Sequence, residues 1–145
     1  MTNDIDWKYQ IECLTGWLHS KGYTIVETWG ARDSIVFDDK EILLNSQYKD
    51  ENKFYTLLHE CGHLITNLNK KPFLEKYPLY PSDVTDGRIM NSISYRVSLV
   101  SEELIAWEKG LALAKRLNLK VNTKNYHKCM TDSIWTYIQY ITQDS

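Results

Sequence analysis

The sequence predicts an α+β fold: a small, mostly antiparallel sheet packed against one helix that carries the chemistry-bearing side chains, with two to three further helices around it. Apolar residues recur at helical spacing in several segments, whereas residues 23–48 form short β-rich pieces bounded by turn residues. The length of 145 residues suits a single domain, 1–145, that buries roughly two thirds of its unfolded surface. Apolar residues at 43% and charged residues at 25% are ordinary globular values and argue against disorder.

The first helix is expected from about Asp6 to Ser20, because Trp7, Ile11, Leu14 and Leu18 make one apolar stripe. Lys21-Gly22 supplies its stop. Tyr23–Thr28, Ser34–Phe37 and Glu41–Leu44 are the expected strands, separated by Gly30 and Asp38-Asp39-Lys40, and a meander is the simplest way to connect them. A second helix covers about Asn52 to Asn67. The stretch from Asn69 to about Asp86 reads as a long loop, since it holds all of Pro72, Pro78 and Pro81. A third helix starts at Ser98 or Ser101 and runs to Leu117, with Leu104, Trp107, Leu111 and Ala114 as its inward stripe. The last helix runs from about Thr123 to Gln143. Its stripe of Tyr126, Cys129, Met130, Ser133, Ile134, Tyr137, Ile138 and Ile141 is expected to pack against the domain.

Charge narrows the function classes. Lys and Arg total 17 against 19 Asp and Glu, a net charge of −2, and the basic residues are scattered. Direct nucleic-acid binding is therefore not expected, since it needs a concentrated positive patch. Met1-Thr2-Asn3-Asp4 lacks the basic start of a signal peptide, and nothing approaches the roughly 18–20 apolar residues of a membrane span. Cys13, Cys61 and Cys129 are odd in number and far apart, which suggests reduced thiols and a cytoplasmic location.

The informative segment is Leu57-Leu58-His59-Glu60-Cys61-Gly62-His63-Leu64-Ile65. On a helix, residues four apart lie one turn apart on nearly the same face, so both imidazoles can converge on one Zn²⁺. Glu60 adjoins the first ligand, where its carboxylate can act as general base toward water on the metal. With 4 His in the chain, the pattern arises by chance in roughly 0.7% of such compositions. Cys61 lies on the far side of the helix and should pack in the core. Gly62 costs helix stability and suggests close backbone approach by a neighbour.

A catalytic zinc needs a third protein ligand and an open position. Thr66 and Asn69 stand where a metzincin has Gly and His, which excludes that class. Glu103 is the expected third ligand, because it lies four before Trp107 on the apolar phase; Glu102 and His127 are the alternatives. A capping role for these carboxylates, through the dipole of a helix beginning at Ser101, competes with ligation. The oxyanion of peptide hydrolysis also needs a donor. Tyr95 is chosen, with Arg88, Arg96 and His127 as further candidates.

The order of helix, small sheet, His59-Glu60-Cys61-Gly62-His63 helix and Glu helix resembles the gluzincin side of the zincin metallopeptidases. It is most similar to the compact ImmA/IrrE-type metallopeptidases common in bacteria and phages. Glu103 followed by Ala106 matches that family's spacing, and Glu41-Ile42-Leu43-Leu44-Asn45 resembles its strand before the metal helix. Trp107 stands where the family usually has Asn, and Lys109-Gly110 replaces a typical Phe-Ala pair. The resemblance covers about Tyr23 to Leu117 and implies a zincin-like domain that hydrolyses peptide bonds in a protein or peptide substrate. The competing expectations are a catalytically silent zinc-binding interaction module and a metal-free interaction protein.

Overall fold

A computed structural model describes residues 4–143. Helix α1 (Trp7–Ser20) leads into strands β1 (Thr24–Thr28), β2 (Ser34–Val36) and β3 (Glu41–Asn45), followed by α2 (Asp50–Leu68). Two short helices, α3 (Lys71–Lys76) and α4 (Gly87–Met90), flank a 3₁₀ turn at Pro81–Asp83, and the long helices α5 (Ile93–Arg116) and α6 (Thr123–Ile141) complete the chain. The class is α+β, as the sequence predicts.

Helix α1 begins where Asp6 Oδ1 accepts from the Tyr9 amide at 3.1 Å, a side-chain cap on an otherwise orphaned donor. Leu14 and Leu18 are fully buried, while Trp7 and Ile11 pack at the margin of the core. Gly22 ends the turn after α1 at φ +85°, a conformation that costs glycine little. Gln10 is buried too. Its amide donates to the Lys120 carbonyl at 2.8 Å and accepts from the Lys120 amide at 2.6 Å, tying α1 to the approach of α6.

The sheet is mixed, which corrects the expected meander and its mostly antiparallel pairing. Strand order is β1-β3-β2, with β1 parallel and β2 antiparallel to β3. Ile42 and Leu44 explain the order. Both are fully buried, so β3 takes the central position, whereas β1 is largely exposed. This leaves β2 as an edge strand whose outer hydrogen-bonding groups are free of strand partners.

The proline-bearing stretch is not one long loop. Pro72 and Pro81 sit at the first positions of α3 and the 3₁₀ turn, where a missing N–H breaks no helical bond. Helix α5 also starts earlier than expected, at Ile93, because Ser92 caps it by accepting from the Tyr95 amide at 3.1 Å. Glu102 and Glu103 therefore lie well inside α5, beyond the first turn where a capping or dipole role would operate.

The inward stripe expected on α5 is corrected as well. Leu104 is 40% exposed, and the buried face instead holds Tyr95, Ser98, Glu102, Glu103, Ala106, Trp107, Gly110, Leu113 and Ala114. Ala106 and Gly110 are small because α2 and α5 nearly touch there. A Cβ at Gly62 would overlap the Ala106 carbonyl, and one at Gly110 would overlap the Leu58 carbonyl. Gly62 meets Ala106 while Leu58 meets Gly110, so the two helices run in opposite senses. Cys61 faces the core among Leu57, Leu58 and Leu64. From α6, Tyr126 is buried edge-on to Tyr55 and Trp107, and Cys129, Met130 and Ile134 pack behind it.

Candidate metal centre

The close crossing of α2 and α5 determines what the site can be. With backbones in contact, side chains from one helix reach those of the other without spanning a gap. His59 and His63 project from α2 one turn apart, and Glu102 and Glu103 project from α5 toward them. His59, Glu60, His63, Glu102 and Glu103 are 8, 3, 8, 6 and 4% exposed.

His59 Nε2 lies 2.8 Å from Glu103 Oε2 and 2.9 Å from His63 Nε2, and His63 Nε2 lies 3.2 Å from Glu103 Oε1. These donors lie within 4.8 Å of one another, a group that could hold a metal ion. Donors about 2.0–2.1 Å from a tetrahedral ion are about 3.3 Å apart, a spacing close to that of this set. Chemistry agrees with geometry. Three carboxylates and two imidazoles share a space almost closed to water, and burial of negative charge without a cation is costly.

Glu102 has a different task from Glu103. Both of its oxygens face His63 Nδ1, at 2.8 and 2.7 Å, so that nitrogen donates and Nε2 is turned toward His59 and Glu103, where a metal that displaced its proton would find the lone pair. The ring of His59 lies flat on Trp107, with 4.3 Å between centroids and 8° between planes. One imidazole is thus oriented by a hydrogen bond and the other by stacking.

The electrostatics follow from this packing. Burial raises the Glu60 carboxyl above its ordinary range, although both imidazoles oppose the shift. Burial also raises Glu103, but His63 and His59 outweigh it and hold that carboxyl below the usual range. For His63, burial favours the neutral ring, while Glu103 and Glu102 turn the balance and raise it well above an ordinary imidazole. Glu60 Oε1 is 3.6 Å from His59 Nδ1, beside the donor set but outside it.

A cleft of about 750 Å³ opens onto these residues. Its walls come from β2 through Ser34 and Ile35, from Tyr80 at the cap of the 3₁₀ turn, and from α6 through Asp132, Thr136 and Tyr137. Tyr95 also lies in the wall, two turns before Glu102 on α5, and burial raises its phenol. The other oxyanion candidates do not converge on the site. Arg88 is exposed and pairs with Asp86, Arg96 donates to the Ile141 carbonyl at 2.7 Å, and His127 is exposed on α6.

Two tyrosines near the donors escaped sequence reasoning. Tyr137 faces Glu103, and burial together with that carboxylate pushes its phenol up. Tyr80 faces Glu102 at 3.5 Å, and burial with the Glu102 charge raises its phenol too. Tyr137 had a sequence signal: it and Ser133 are the hydroxyl-bearing members of the inward stripe, with the polar Asp132 and Thr136 adjoining them. Tyr80 had none.

Fold and site together define an α+β domain with a buried pair of histidines and a glutamate at the foot of a cleft. No family model, curated protein or solved structure matches the chain. Among the described residues, no helix is long and apolar enough to cross a membrane.

Proposed function

We propose that this chain is a zinc-dependent endopeptidase with a zincin-like fold, similar to ImmA/IrrE-type metallopeptidases and acting on a protein or peptide substrate in the cytoplasm. One observation carries the reading. His59, His63 and Glu103 converge from two helices with Glu60 beside them, and the group opens on a cleft of about 750 Å³. Two histidines and a carboxylate are the donor set of catalytic zinc, which leaves a position for water and substrate.

Zinc, when bound, supplies Lewis-acid activation of water and of the scissile carbonyl. Glu60 takes the proton of the attacking water and delivers it to the leaving amine, a task suited to a carboxylate whose affinity for protons is raised by burial. Tyr137 faces the donor set and Tyr95 stands further along the wall. Either hydroxyl can donate to the oxyanion as it develops, with Tyr137 the better placed. The free edge of β2 borders the cleft, so an extended substrate can add there as a strand through main-chain hydrogen bonds.

A silent zinc-binding interaction module would have no use for Glu60 in this position. The test is Glu60→Gln, assayed on an unstructured protein substrate together with zinc content. Hydrolysis should vanish while one zinc per chain remains. Hydrolysis at the wild-type rate would refute the mechanism, and a wild-type protein that holds zinc but cleaves nothing would favour the silent module.

A further inference from the structure

The segment between α2 and α5 does more than connect them. Tyr80 is 3% exposed, and its hydroxyl points at Glu102 Oε1, the carboxylate that accepts from His63 Nδ1. Asn67, near the end of α2, is also beside this hydroxyl. The ring is held in two ways. Phe73 of α3 packs edge-on at 5.5 Å, and the Lys70 ammonium sits over the ring face at 4.6 Å. Lys70 is in turn gripped by both oxygens of Asp83, at 2.9 and 3.0 Å, while the Asp83 amide donates to the Tyr80 carbonyl at 3.0 Å. Residues 70–83 thus form a clasp closed by one ion pair, with Tyr80 as its inward-pointing tongue.

We propose that Tyr80 is a positioning residue for His63: its hydroxyl holds Glu102, Glu102 holds the imidazole, and closure of the clasp sets how tightly the site retains its metal. The inference rests on the metal-binding reading of His59, His63 and Glu103, and it does not require that the protein be a peptidase. A carboxylate with only one fixed partner can rotate, and the imidazole bonded to it then loses its aim. Tyr80 supplies the second partner from outside the two helices that bear the donors. Substrate or a partner protein pressing on the Tyr80 wall of the cleft would therefore be felt at the metal.

The experiment measures zinc affinity by chelator competition, and zinc release by stopped flow, on the full chain and three variants. Tyr80→Phe keeps the ring and removes only the hydroxyl; it should weaken zinc binding about 3- to 10-fold, less than the roughly 10- to 100-fold cost of losing a direct outer partner. Glu102→Gln should show that larger loss. Adding Tyr80→Phe to Glu102→Gln should then cost nothing more, because the hydroxyl acts only through the carboxylate. Asp83→Asn, remote from every donor, should speed release in the same direction as Tyr80→Phe. Unchanged affinity in Tyr80→Phe, or losses that simply multiply in the double variant, would overturn the inference while leaving the metal site intact. A wild-type protein that takes up no zinc would instead overturn the site reading, and the inference with it.

Discussion

Replacing Gly62 by alanine tests the close crossing on which the site depends. Taken alone, the change should stabilise α2, since alanine is better than glycine inside a helix by about 1 kcal/mol. The structure reverses that sign, because the added Cβ would overlap the Ala106 carbonyl, a backbone atom that cannot swing aside. An ordinary carbon–oxygen contact needs at least about 3.4 Å, so α2 and α5 must part by about 1 Å or more. Overpacking of this kind costs about 1–3 kcal/mol, and at a backbone–backbone contact the upper end is expected. Less the helix gain, the net loss should be about 1–2 kcal/mol, or several degrees in Tm. Gly16→Ala is the matched control: nothing lies within 4 Å of the Cβ it would add, so it should stabilise by about 0.5–1 kcal/mol. Denaturant melts of metal-free protein give both numbers. Zinc affinity should fall in Gly62→Ala and stay constant in Gly16→Ala, because α2 and α5 supply opposite sides of a donor set now spaced at 2.8–3.2 Å. A Gly62→Ala protein as stable as Gly16→Ala would refute the close approach.

Three further outcomes are expected. Glu103→Ala should weaken zinc binding beyond the roughly 10- to 100-fold that loss of an outer partner costs, with Glu102→Ala inside that range; the opposite order in a competition titration would exchange their roles. Gln10→Ala should destabilise by about 1–3 kcal/mol in urea melts, since it removes both bonds to the Lys120 backbone from a buried setting; a loss below about 0.5 kcal/mol would mean that water replaces them. Removal of zinc by a chelator should lower Tm, by an amount corresponding to about 4 kcal/mol when free zinc had been 1,000 times Kd; an identical Tm with and without zinc would show that the ion does not bind the folded chain.

The histidine pair was legible because one rule, the helical period, decides whether two side chains meet. Glu103 was harder. The apolar stripe that points to it includes Leu104, which is exposed, whereas the true inward face keeps Trp107 and Ala114 and adds the polar Ser98 and the small Ala106 and Gly110. Both carboxylates lie on that face, and their division of labour depends on the crossing of α2 and α5, which only Gly62, Ala106 and Gly110 announce. The strand order was hidden for a similar reason. Three short strands carry few apolar residues each, and the full burial of Ile42 and Leu44 reflects helices packed against β3 that the strand itself does not specify. Tyr80 sits among prolines and tyrosines with no periodicity, so its inward direction comes from tertiary packing alone.

The contact between His63 and Glu102 joins residues 39 apart in sequence. The intervening chain, short helices and clasp included, is thereby closed into a ring whose two ends are pinned at the same place. Closing a flexible loop of that length costs about 3 kcal/mol of chain entropy, and the α2–α5 crossing has already met that cost. The clasp's own contacts therefore need not meet it. Its closed arrangement rests on local contacts, chiefly the Lys70–Asp83 pair and the packing of Phe73 on Tyr80. A segment held in this way is free to vary in sequence and length over its outer surface, provided that it still returns one tyrosine to the carboxylate at its root.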